Sequence, residues 1–347
     1  MKIALYGFGA FNSAMAHYLE RNTDAEIMFW EYDDKVIDYF KEHKSHPYHF
    51  VDKKFSRVKA TKDLEELFDN NYFVIIAISA QHIRENAKAF KKYLKKPTRF
   101  LICSKGLEQG TMNRLSEVLE QELGEKHKIA VFSGGTTAAD IERGIPLVAE
   151  VVSKDKETRE EIAEVLHTNK IRIYTHEDLC SVEVAAALKN VVSFGAGICE
   201  GMGFDTGTIA ALITRATYEI YKIAMYLGAS QKAFLPGSAS VWGDIMLSSF
   251  GKTRNREFGM RVAKGDKTPL EVLEEMKEEH KTVEGYYTVK SAKELSDEHQ
   301  LNTPVIEELY SVAYEGRTPQ EALKNLMERD RKELHPKGDQ KRKVEKK

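Results

Sequence analysis

Three stretches of the chain place cations where a solvated surface would not need them. In Ala185-Ala186-Ala187-Leu188-Lys189-Asn190-Val191-Val192 a lysine and an amide interrupt an otherwise apolar helical pattern. Desolvation together with nearby positive charge lowers a lysine's pKa toward the range where it can give up and recover a proton. The plainer reading of Lys189 is a side chain whose stem lies on the core while its head reaches water. Ser104-Lys105-Gly106-Leu107-Glu108 directly follows an apolar run ending at Cys103. Lys105 is thereby set at the carboxyl end of a strand, the edge where open sheets bind ligands. The third stretch, Gly251-Lys252-Thr253-Arg254-Asn255-Arg256-Glu257-Phe258-Gly259, is a loop running into a helix start.

A fourth feature is made of glycine. Lys2-Ile3-Ala4-Leu5-Tyr6-Gly7-Phe8-Gly9-Ala10-Phe11-Asn12 runs from a strand through a Gly-x-Gly turn into a helix that continues through Met15, Ala16 and Leu19. Gly7 allows the tight turn, Gly9 lets the backbone approach a pyrophosphate, and the helix N-terminus supplies free N–H donors. The third glycine of this fingerprint is replaced by Asn12, which is expected to loosen helix-to-strand packing without removing the phosphate site. The second strand ends Phe29-Trp30-Glu31-Tyr32-Asp33. An acidic residue there accepts hydrogen bonds from an adenosine ribose and repels a 2′-phosphate, so Glu31 argues for NAD over NADP. The plainer reading is an ordinary loop carboxylate.

The elements that must position these residues fall into two kinds. Short apolar runs at Lys2 to Tyr6, Glu26 to Glu31, Tyr72 to Ile78, Phe100 to Cys103, Ile129 to Phe132 and Leu147 to Val152 alternate with helical patterns, as in a parallel sheet covered on both faces. From about Asp178 the period becomes helical, over 181–199, 208–227, 269–276, 289–299, 304–314 and 319–328. Thr268-Pro269, Thr303-Pro304 and Thr318-Pro319 each set a capping residue before a proline at the first helical position. The expected organisation is a Rossmann-type α/β domain over 1–178, a mostly α-helical domain over 179–330 and a basic, disordered tail over 331–347.

Composition narrows the function. The 347 residues carry 52 Lys+Arg against 54 Asp+Glu, a net charge of -2, so no global field holds the molecule on nucleic acid or an anionic membrane. An anionic ligand must be gripped locally. The three scattered cysteines suggest neither a disulfide framework nor a zinc knuckle, which fits a reducing compartment. The N-terminus lacks a signal-peptide pattern and no apolar run approaches the length of a membrane span, which reads as a soluble, cytoplasmic protein. His43, His46 and His49 have a spacing that suggests a metal clip, but Pro47 and the loop composition oppose a ligand face, and no metal site is expected.

Taken together, the motifs resemble the NAD(P)-dependent glycerol-3-phosphate dehydrogenase family in its bacterial form. The resemblance rests on the N-terminal Gly-x-Gly, Lys105-Gly106, Ser133-Gly134 and Ala187-Leu188-Lys189-Asn190-Val191. It extends through Gly195-Ala196-Gly197, Ala211-Leu212-Ile213-Thr214-Arg215, Gly243-Asp244, Arg254 to Gly259, Glu284-Gly285 and Tyr314-Glu315-Gly316. It implies reversible hydride transfer between NAD(P)H and dihydroxyacetone phosphate, giving sn-glycerol 3-phosphate for glycerophospholipid synthesis, by a homodimer. By position it makes Lys189 the general acid/base, Lys105 a second lysine at the reacting oxygen, Asp244 the carboxylate that holds the lysine, and Asn190 their neighbour. It assigns substrate contacts to Lys105, Gly134, Thr136, Lys189, Asp244, Thr253, Arg254 and Asn255. Cofactor contacts fall on Gly7, Gly9, Ala10, Phe11, Asn12, Glu31, Lys105, Ala138, Arg254 and Glu284, with NAD as cofactor and NADP as the alternative.

Several segments depart from the family pattern. Ser133-Gly134-Gly135-Thr136-Thr137-Ala138 lacks the usual proline and aromatic, Ile78-Ser79-Ala80 stands where Val-Pro-Ser is common, and Ala10-Phe11 replaces Ser-Trp. Two other functions compete. One is a related two-domain reductase of another hydroxy or keto acid, which the Arg254-Asn255 pair disfavours. The other is a redox-silent cofactor-binding protein, which would have no use for Lys105, Lys189 and Asp244 together.

Overall fold

The computed structural model describes residues 1–69, 71–279 and 281–331, so the tail expected past Arg331 lies outside the described residues. Eight strands form one sheet: β1 (Lys2–Tyr6), β2 (Glu26–Trp30), β3 (Lys59–Thr61), β4 (Phe73–Ile76), β5 (Arg99–Ile102), β6 (Lys128–Gly134), β7 (Leu147–Val152) and β8 (Ile171–His176). Their order is β3-β2-β1-β4-β5-β6-β7-β8, parallel throughout except for the antiparallel β6–β7 pair. Helices α1 (Ala10–Asn22), α2 (Asp34–His43), α3 (Leu64–Phe68), α4 (Ile83–Phe90), α5 (Leu115–Leu123), α6 (Ala138–Arg143) and α7 (Lys156–Leu166) connect them.

Side-chain alternation explains why the central strands are apolar at every position. Ile3, Leu5, Phe73 and Ile75 join one buried cluster, whereas Ala4, Tyr6, Val74 and Ile76 join another on the opposite face. Two strands escaped the sequence reading, β3 and β8, and both are the edges of the sheet. Neither an edge of Lys-Ala-Thr nor the alternating Ile-Arg-Ile-Tyr-Thr-His needs two apolar faces, so neither carries the continuous apolar run that marks the centre.

The sheet ends at His176 and the rest is helical: α8 (Leu179–Gly201), α9 (Thr206–Tyr226), α10 (Asp244–Phe250), α11 (Arg254–Ala263), α12 (Pro269–Glu278), α13 (Glu284–Glu298), α14 (Pro304–Tyr314) and α15 (Pro319–Met327). Asp178 caps α8 by accepting the Ser181 N–H at 3.1 Å. This helix corrects the expectation about apolar runs, because over 23 residues its length and mean hydropathy of 1.4 match a membrane span. Its apolar stretch is wholly buried inside the protein, as the central helix of a bundle must be. At Gly197 a Cβ would lie 2.0 Å from the Arg256 carbonyl oxygen, and at Gly259 one would lie 2.2 Å from that of Phe194. Only glycine lets α8 and α11 approach this closely, and the crossing sets Lys189 and Asn190 beside Arg254 and Asn255.

Thr268 and Thr318 form the expected caps, each within a capping box. Thr303 makes no side-chain cap; the buried Glu219 of α9 replaces it, accepting the Val305 and Ile306 N–H groups at 2.9 and 3.0 Å. Helix α13 starts at Glu284, ahead of the expected Val289, so Glu284-Gly285 opens a helix.

Candidate active site

Strand β1 lies between β2 and β4, so the chain reverses direction across the sheet there and leaves a crevice at the strands' carboxyl ends. Gly7 leaves β1 at φ +80°, and a Cβ on it would meet Ile78 Cγ2 at 2.6 Å, so the turn admits no larger residue. Gly9 caps α1 with no side-chain partner, and nothing lies within 4 Å of where its Cβ would be. The first turn of α1, with Ala10 and Phe11 half-buried, therefore offers an open cradle of N–H groups that fits a pyrophosphate.

Asn12 does more than the sequence reading allowed. Wholly buried, it donates from Nδ2 to the carbonyls of Tyr6 and Gly7 at 3.1 and 2.7 Å, tying the turn together from within. Glu31 is also buried, and its carboxylate accepts the N–H of Phe8 at 2.7 Å, of Tyr32 at 2.9 Å and of Asp33 at 3.3 Å. Beyond any ribose contact, it fastens the glycine turn to the end of β2. His46, for which the sequence points to no metal site, has a structural role: Nε2 lies 2.7 Å from Phe8 O, while Nδ1 accepts the N–H groups of Tyr48 and His49. Burial pushes its pKa down to about 4, so this ring is neutral and donates from Nε2.

The second part of the site gathers around Asp244, the first residue of α10. Its Oδ2 is 2.6 Å from Lys105 Nζ and its Oδ1 is 2.6 Å from Lys189 Nζ, with the carboxylate wholly buried. Lys105 comes from the end of β5 and also lies 3.5 Å from Gly134 O at the end of β6. Burial first, then the neighbouring Lys105 charge, pushes Lys189 down to about 8, against the opposing pull of Asp244. A lysine in this range exchanges protons near neutral pH.

Around this triad the remaining candidates divide. Asn190 donates from Nδ2 to Glu284 at 2.9 Å and accepts from Asn255 Nδ2 at 3.0 Å, while Asn255 Oδ1 accepts the Gly285 N–H at 2.8 Å. This amide chain cross-links α8, α11 and α13, a bracing role that the sequence alone did not suggest. Thr253 caps α11 and its hydroxyl lies 2.8 Å from Ser193 Oγ and 3.0 Å from Ser248 O. Arg254 is exposed, and its guanidinium makes no hydrogen bond or ion pair among the described residues. Thr136 is buried in the turn after β6, with its N–H on Gly134 O at 2.8 Å, and Ala138 opens α6.

One cleft of about 390 Å³ is lined by Lys105, Lys189, Asn190, Thr253, Arg254, Asn255 and Glu284, residues scattered over half the chain. Lys252, Ser248, Thr282 and Ile78 line it as well and were not singled out. Lys252 had a signal, its place one residue before a helix cap, and Ile78 had one in the departure of Ile78-Ser79-Ala80 from the family pattern; Ser248 and Thr282 had none.

Comparison with known proteins agrees along nearly the whole chain. Residues 2–159 match the family described as NAD-dependent glycerol-3-phosphate dehydrogenase N-terminus, and residues 178–324 match its C-terminus. A glycerol-3-phosphate dehydrogenase [NAD(P)+] from Thermotoga sp. is 35% identical over 334 residues, spanning 96% of this chain and 98% of the relative. One of the same name from Thermoanaerobacter sp. is 34% identical over 337 residues, 96% and 99% of the two chains. The crystal structure of the glycerol-3-phosphate dehydrogenase of Coxiella burnetii superposes with a TM-score of 0.85 at 25% identity, covering 94% of this chain and 99% of that one. With a glycine turn at the switch point of the sheet and two lysines converging on one aspartate, the chain belongs to the NAD-dependent glycerol-3-phosphate dehydrogenase family.

Proposed function

We propose that the protein reduces dihydroxyacetone phosphate to sn-glycerol 3-phosphate with NAD(P)H, reversibly, as a supply step for glycerophospholipids. The observation that carries this reading is the Lys105–Asp244–Lys189 cluster, with both ammonium groups 2.6 Å from one buried carboxylate. A bound nicotinamide supplies the hydride. Hydride arrival at a carbonyl carbon places negative charge on its oxygen, and two fixed ammonium groups stabilise that charge. Lys189 gives the proton to this oxygen, and in the reverse direction takes it back. Asp244 offsets the repulsion between the lysines and keeps each aimed at one point, so the donors are organised before the substrate arrives.

Arg254 and the N-terminus of α11 hold the substrate phosphate. The arginine is uncommitted, and the helix end adds N–H groups and the positive end of its dipole. The glycine turn, Ala138 and Glu284 hold the cofactor, and Glu31 biases the choice toward NADH because a buried carboxylate at the end of β2 repels a 2′-phosphate. The three buried, free cysteines support a reducing, cytoplasmic setting. The resemblance to the family, with Met246 and Phe250 exposed four residues apart on α10, supports association into a homodimer, which the mass in solution by light scattering tests.

Initial rates with dihydroxyacetone phosphate and each cofactor test the central reading. NADH is oxidised only when the substrate is present, with a higher kcat/KM for NADH than for NADPH. Tight NADH binding without turnover overturns the enzyme reading, and a strong NADPH preference overturns the role given to Glu31.

A further inference from the structure

Glu150 is an acidic residue in the middle of an apolar strand, Leu-Val-Ala-Glu-Val-Val. It is buried at 4% exposure and its carboxylate is fully used. Oε1 accepts the Ala239 N–H at 2.7 Å, while Oε2 lies 3.3 Å from both Ser238 Oγ and His176 Nε2. His176 Nδ1 accepts the Asp178 N–H, so Nε2 carries the proton that faces Glu150. Burial raises the Glu150 carboxyl, but His176 first, then the Ser240 hydroxyl and the Ala239 N–H, hold it below the ordinary carboxylate range, so it is charged.

Ala239 opens a single π-helical turn, Ala239–Gly243, which runs directly into Asp244. The Asp244 N–H donates back to the Ala239 carbonyl across that turn. One residue thus accepts from Asp244 at its C=O and donates to Glu150 at its N–H. A π turn is a rare closure that appears mostly as a single turn, frequently at functional sites. Here its first residue is held by a charge from the other half of the molecule.

We propose that Glu150 is a positioning residue for the reaction: by anchoring Ala239, it fixes the turn that holds Asp244 between Lys105 and Lys189. The sheet half, which supplies Lys105 and Glu150, thereby sets where the helical half presents its aspartate. This inference rests on the acid/base role given above to Lys189.

Glu150→Ala, Glu150→Gln and the parent protein test it. The Gln side chain keeps an acceptor for the Ala239 N–H while its amide nitrogen opposes the Nε2 proton of His176, so it rescues the rate and the Lys189 titration but not the full stability; Ala rescues neither. In Glu150→Ala the kcat for reduction falls by about tenfold or more, as expected when a reacting group is misplaced by a fraction of an ångström to an ångström. The KM for the cofactor stays within about twofold, since the glycine turn is untouched. The distinguishing reading is the titration of Lys189, which faces Asp244 and Lys105, with Glu284, Arg254 and Lys252 lining the same cleft. When Asp244 drifts, Lys189 loses the carboxylate that raises its pKa, so the alkaline limb of the reduction rate moves to lower pH by about half a unit or more.

The same shift is read without turnover from the pH dependence of Lys189 modification by acetic anhydride, quantified by mass spectrometry. This separates the two readings. A parent protein that never reduces dihydroxyacetone phosphate removes the proposed function, while the modification curve still decides whether Glu150 sets the aspartate. If Glu150→Ala lowers only the melting temperature and leaves the Lys189 titration where it was, the residue is plain structural glue and the proposal is overturned. If the Ala variant does not fold, Glu150→Asp, which keeps the charge but draws the acceptor back from Ala239 by one methylene, carries the measurement: a Lys189 titration shifted to lower pH supports the proposal and an unshifted one overturns it.

Discussion

Residues 7–12 take their fastenings from the first two strands and the loop after α2: Asn12 binds carbonyls five and six residues away, Glu31 reaches Phe8 N–H across 23 residues, and His46 reaches Phe8 O across 38. Asp244, by contrast, holds one lysine 55 residues away and another 139 residues away, on opposite halves of the molecule. The turn is a local structure that the sheet merely seats. The lysine cluster exists only when β5, α8 and the π turn before α10 are all in place. Damage should therefore separate: changes at the turn are read in cofactor affinity and choice, and changes at the cluster in the rate of the chemical step.

The largest effect breaks the cluster. Lys189→Ala is expected to lower kcat by roughly 10²–10⁴, the range general acid catalysis supplies, while NADH binding measured by fluorescence is unchanged. A comparable loss of NADH affinity would show that the two regions are one unit. Arg254→Ala comes next. Losing a charged hydrogen-bond donor costs about 1.5–3 kcal/mol, so the KM for dihydroxyacetone phosphate should rise by roughly 10- to 150-fold, with kcat less affected. A kcat loss with unchanged KM would place the phosphate elsewhere.

The acidity of Lys189 sharpens the contrast further. Because burial and Lys105 bring it to about 8, reduction, which needs the ammonium form, should fall as pH rises through that value, and oxidation, which needs the neutral amine, should rise through it. Profiles of kcat/KM in both directions check this, and a limb common to both directions would assign it to another group. The smallest effect belongs to the turn: Glu31→Gln removes the charge and leaves one oxygen where two accept backbone N–H groups, so one fastening is loosened while the NADH over NADPH preference narrows by about tenfold, with kcat for NADH within about twofold. An unchanged ratio would leave Glu31 with only its fastening role.

Much of this was legible before folding. The Gly-x-Gly between an apolar run and a helix, the six interior strands and the change to helical period near residue 178 all follow from local pattern. The edge strands β3 and β8 did not, since an edge needs neither apolar face in full, and α13 began earlier because Glu284 and Gly285 carry no apolar period of their own. Within the site, Lys105, Lys189 and Arg254 were visible as misplaced cations. The bracing roles of Asn190 and Asn255 were hidden, because an asparagine's partner is chosen by which helix crosses it.

By itself the sequence determined which segments would become strand and helix, and which cations would sit uncomfortably within them, because period and burial are written in neighbouring residues. Only the tertiary structure decided that Lys105 and Lys189 share one carboxylate, that Glu31 fastens the turn it follows by a whole helix, and that a glutamate inside β7 holds the turn before Asp244. A charge's acidity and its aim depend on groups brought within a few ångströms by packing, and no spacing along the chain encodes that distance.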